Sequence, residues 1–61
     1  MDDKAHVLEA YGAAIQLLFK VFLESYIAAQ GNTEEERNAE QRFKRGVTHA
    51  RHVRDRALAL L

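Results

Sequence analysis

The stretch Gln30-Gly31-Asn32-Thr33-Glu34-Glu35-Glu36 is the one strong interruption in a 61-residue chain that contains no proline. Gly31 can take the left-handed conformation that ends a helix. Thr33, followed three residues later by Glu36, has the spacing of a capping box, in which a hydroxyl and a carboxylate satisfy backbone donors that would otherwise lack partners. Glu34, Glu35 and Glu36 also bring negative charge to the positive end of the new helix dipole. One helix therefore stops here and another starts. The pattern predicts a single domain over residues 1–61: helix 1 over about 3–30, started by Asp2 or Asp3, a turn over 31–33, and helix 2 over about 34–60.

A chain this short hides too little surface alone to be more than marginally stable. Small proteins find help in disulfides, a structural metal or oligomerisation, and the absence of cysteine removes disulfide bridges and cysteine-ligated zinc together. With 48% apolar and 30% charged residues, the composition suits long amphipathic helices rather than disorder.

Helix 2 shows a 4-3 spacing of small or apolar residues at Ala39, Phe43, Gly46, Ala50, Val53, Ala57 and Leu60, a narrow coiled-coil-like seam. The same spacing in helix 1 gives Leu8, Tyr11, Ile15, Leu18, Phe22, Ser25 and Ala29, but Val7, Ala14, Phe19, Val21 and Tyr26 flank that seam, and Leu17, Leu23 and Ile27 lie further round. A short turn makes the helices antiparallel neighbours. A register centred on Asn32 sets Leu18 opposite Gly46, Ile15 near Ala50, Tyr11 near Val53 and Leu8 near Ala57, so that large residues meet small ones. Gly46 is the telling member, since glycine inside a helix costs roughly 1 kcal/mol relative to alanine.

The apolar surface of helix 1 is wider than one partner helix can cover. A lone hairpin would leave Val7, Phe19, Val21, Leu23, Tyr26 and Ile27 largely in water. These six are the expected oligomer interface. The fold expected is all-α, an antiparallel helical hairpin that assembles as a homodimeric four-helix bundle with helix 1 and its copy in the centre.

Formal charge sums to zero but is unevenly placed, with acids gathered at the start of helix 2 and six basic residues against Asp55 between Arg42 and Arg56. Arg42, Arg45, His49, His52 and Arg56 follow a 3-4-3-4 spacing and form one stripe. The first reading of that stripe is a wet outer face, with positive charge well placed near a helix C-terminus. The alternative is a phosphate contact to RNA or DNA, with arginines forming forked hydrogen bonds.

Nothing points to catalysis. Ser25 has no histidine one or two turns away on the same face, and Gly12, Gly31 and Gly46 are isolated rather than a phosphate loop. His49 and His52, or Asp3 and His6, are too few to hold a metal. No cofactor is expected. The acidic start is unlike a secretory n-region, and Gln16, Lys20 and Glu24 interrupt the apolar run from Ala10 to Ala29, so the expectation is a cytoplasmic chain without a membrane span. The sequence thus reads as a non-enzymatic helical interaction protein that binds another macromolecule, a protein first and a nucleic acid second.

Overall fold

The computed structural model of the chain describes residues 2–61. Two helices, α1 (Asp3–Ala28) and α2 (Thr33–Ala59), pack as an antiparallel hairpin, and the described residues contain no strand. Both elements match the expected ones to within two residues at each end.

The caps explain where the helices begin. The Asp2 carboxylate accepts from the backbone N–H groups of Lys4 (3.1 Å) and Ala5 (3.3 Å), which settles the start of α1 in favour of Asp2. At α2 the capping residue is Asn32 rather than Thr33, its amide oxygen accepting from the Glu35 N–H at 3.1 Å. Thr33 is the first helical residue, so the predicted capping box is not used. Asparagine is the stronger cap of the two, and that preference moves the helix start one position earlier.

Between the helices the chain reverses in four residues. Gln30 (φ 50°) and Gly31 (φ 81°) both take the left-handed conformation. The Gln30 N–H donates to the Ile27 carbonyl at 3.1 Å and the Asn32 N–H to that of Ala29 at 2.9 Å, so the turn itself partners carbonyls at the end of α1 and at its cap. Glycine has no Cβ to clash at such a φ; Gln30 carries that strain at its own position.

Close approach of the helices follows from small residues. Ala29 and Ala39, beside the turn, are the two buried residues, at 5% and 2% exposure. Further along, a Cβ at Gly46 would fall 2.6 Å from Leu18 Cδ2, so the predicted Leu18–Gly46 layer is present and any side chain at 46 would make Leu18 shift. Phe22 stacks on Phe43 with ring centroids 4.9 Å apart and meets Tyr26 edge-on at 5.5 Å, giving the hairpin a small aromatic cluster.

Toward the open end the seam departs from the predicted 4-3 repeat. Leu8 and Val53 are each 51% exposed and Leu60 80%, whereas Val7, Arg54 and Leu58 take the half-buried positions. Two straight helices explain the shift: with 3.6 residues per turn, a heptad stripe drifts by about 20° per repeat unless the helices supercoil.

The shape is a thin slab. Its Cα extents are 46 × 16 × 6 Å and its radius of gyration is 14.3 Å, against about 10.5 Å for a compact chain of this length. Its accessible surface is 4992 Å², whereas a folded monomer of its mass would have about 4000 Å².

Candidate association surface and basic stripe

The surface on which association can act is built almost wholly by α1. Leu17 (63%), Phe19 (53%), Val21 (53%), Leu23 (46%), Tyr26 (38%) and Ile27 (67%) all stand exposed. Of the six residues predicted at an oligomer interface, Val7 is the exception: it is half-buried within the hairpin, because the drifting seam turns it inward.

Those residues do not form one patch. Phe19 and Val21 are two positions apart and so point about 160° apart around α1. On one flank Phe19, Leu23, Tyr26 and Ile27 line an open hollow with Phe22 and Glu40. On the other, Val21 lines a hollow with Leu18, Ser25 and the α2 residues Ala39, Arg42 and Phe43. Further toward the open end that second flank widens into an almost entirely apolar groove of about 460 Å³, lined by Val7, Ala10, Tyr11, Ala14, Ala50, Val53 and Ala57, with His49 and Arg54 at its margin. This groove escapes a reading of the sequence because its alanines carry no distinctive signal; only their juxtaposition across two helices makes a depression.

Arg54 joins the hairpin in a way the spacing does not suggest. Its guanidinium lies over the Tyr11 ring, 4.5 Å from the centroid, and pairs with the Asp55 carboxylate at 2.9 Å. The side chain is 24% exposed, since its aliphatic stem covers apolar surface while its head stays at the edge. Tyr11 therefore meets Arg54 in addition to sharing the groove with Val53, as the register expects.

Tyr26 has its acidity altered by its neighbours. The nearby Glu36 carboxylate raises its pKa above the usual tyrosine value of 10.0, helped by partial removal from water and by Glu40.

The basic stripe is exposed along its length. Arg45, His49 and His52 border one open hollow together with Gln41, Lys44 and Thr48. Arg42 turns instead toward Ser25, Ala29, Glu35 and Asn38, and Arg56 lies beyond both groups. The stripe is thus two clusters and an outlier, and no ion pair neutralises it among the described residues. No three histidine, aspartate or glutamate side chains converge as a metal site among the described residues.

α1 is also long and apolar enough to cross a membrane, and none of its apolar stretch is buried in the hairpin. Gln16, Lys20 and Glu24 do not lower its hydropathy below that limit, so interruption by these three residues does not exclude a span. Comparison with protein-family models, curated proteins and solved structures finds no match to this chain.

Proposed function

We propose that this chain is a non-enzymatic association module: a helical hairpin that dimerises into a four-helix bundle through α1 and presents its remaining surface to another macromolecule, a protein in the first instance. The observation that carries this reading is the apolar exposure of α1 on both flanks, in a chain whose only buried residues among those described are two alanines. Each large apolar side chain removed from water contributes roughly 1.5 to 3 kcal/mol, so several of them together outweigh the loss of freedom on association.

Association also suits the hairpin better than insertion of α1 into a bilayer. α1 packs against α2 along the hairpin, and α2 carries Glu34, Glu35, Glu36, Glu40 and a series of arginines that hydrocarbon would exclude. Sedimentation across nanomolar to micromolar concentrations tests the proposal. A dimer is expected, with Phe19→Glu driving it to monomer or unfolding the chain. A wild type that stays monomeric and well folded at micromolar concentration would refute it.

A second reading, contact with nucleic acid, draws on the un-neutralised cluster of Arg45, Lys44, His49 and His52. Its test is binding to RNA or DNA at physiological salt by the wild type and by a variant with Arg45, His49, His52 and Arg56 changed to glutamine. Submicromolar affinity that is lost in the variant and falls steeply with salt would make this the leading function.

A further inference from the structure

The hairpin itself leaves Gly12 unexplained. A Cβ built at Gly46 collides with Leu18, but one built at Gly12 meets nothing within 4 Å. Glycine in a helix interior is the least favourable residue after proline, so a helical glycine facing open space points to something outside the hairpin that approaches closely. Leu8, Gly12, Phe19, Leu23 and Tyr26 recur at steps of four, seven, four and three, which places them on a single flank of α1. On that flank, gap and filler are symmetric: Gly12 lies seven residues before Phe19, and Tyr26 seven residues after it.

We propose that a second copy of this chain docks on this flank with the two α1 helices antiparallel, Phe19 near the two-fold axis, and Tyr26 of each copy filling the space above Gly12 of the other. The two turns then lie at opposite ends of the dimer. A parallel pairing would set Gly12 against Gly12, leaving a void, and Tyr26 against Tyr26, overfilling the same contact. Charge selects the same arrangement. Glu40 borders this flank beside Phe19, Leu23 and Tyr26 in the turn half of α2, and Arg51 follows eleven residues later on the same strip, in the open half. Antiparallel docking brings Glu40 of one copy toward Arg51 of the other, whereas parallel docking faces like charge with like.

This inference rests on the self-association reading, and the experiment separates the two. With no native cysteine, Glu34→Cys at the outer face near the turn accepts a single spin label. Antiparallel docking about Phe19 sets the two labels about 33 Å apart along the dimer, roughly eleven residues of helix rise to either side of the axis; parallel docking removes that axial separation and leaves about 20 Å, the reach of adjacent helices. Gly12→Leu, which the hairpin can accommodate, is expected to weaken the dimer at least tenfold while circular dichroism shows an intact helix. Gly12→Ala is expected to raise the helicity of the diluted chain yet also weaken the dimer. Short label distances in an intact dimer would overturn the antiparallel arrangement alone, and so would a dimer that either Gly12 variant leaves as tight as the wild type. A monomeric wild type would overturn this inference and the association reading together.

Discussion

At the scale of single residues, the two glycines within helices show how the same residue can serve opposite purposes. Gly46 is held against Leu18, so Gly46→Leu should destabilise the hairpin by about 1 to 3 kcal/mol through overpacking, and Gly46→Ala should gain less than the roughly 1 kcal/mol that an open helical site would give. Urea denaturation of the two variants checks this; stabilisation by both would show that Leu18 moves aside without cost. Tyr26 offers a second probe. Its pKa is raised in the folded chain, so its contribution to stability is intact below the ordinary value of 10.0 and is lost as pH rises through the folded value. In a Tyr11→Phe background, absorbance titration should find Tyr26 ionising above pH 10.0, and Glu36→Gln should lower that midpoint because it removes the largest cause of the shift. An unchanged midpoint would mean that burial, not the carboxylate, dominates.

Among the elements, the drift of the seam can be tested directly. Arg54 lies over the Tyr11 ring whereas Val53 is 51% exposed, so Arg54→Ala should cost about 0.5 to 1 kcal/mol, the scale of a cation–π contact, while Val53→Gln should stay within about 0.5 kcal/mol. Thermal denaturation at a concentration where the chain is monomeric compares the two; the reverse order would restore a heptad seam. The helices, the turn, the Leu18–Gly46 layer and the excess apolar surface of α1 were legible in the sequence because each rests on local rules: capping residues, positive-φ glycine, large facing small. The cap at Asn32 and the inward turn of Val7 were not. Two good caps stand side by side at Asn32 and Thr33, and a repeat written in sevens holds only for helices that coil about each other. The division of the α1 surface into two flanks was obscured for a simpler reason. A set of exposed residues chosen by type carries no angle, and Phe19 and Val21 separate only when 100° per residue is applied.

For the whole molecule, the slab shape and the lack of buried large side chains mean that the proposed association would couple folding to binding. The midpoint of thermal unfolding should therefore rise with protein concentration, as mass action requires when the folded chain is stabilised by its partner. A midpoint that is constant over a hundredfold range of concentration would show that the hairpin is stable alone. Within one hairpin, order is unevenly distributed: the two buried alanines lie in its turn half, and exposure climbs to 80% at Leu60 in the open half. No turn joins the two helices at the open end, and fraying should start there. In the proposed antiparallel dimer each frayed end would lie along the firm, turn-closed end of the other copy, so every chain would act as a splint for its neighbour's weakest segment. Amide hydrogens near Val53 to Ala59 would then exchange quickly in dilute solution and slow sharply on dimerisation, while those near Ala39 would change far less.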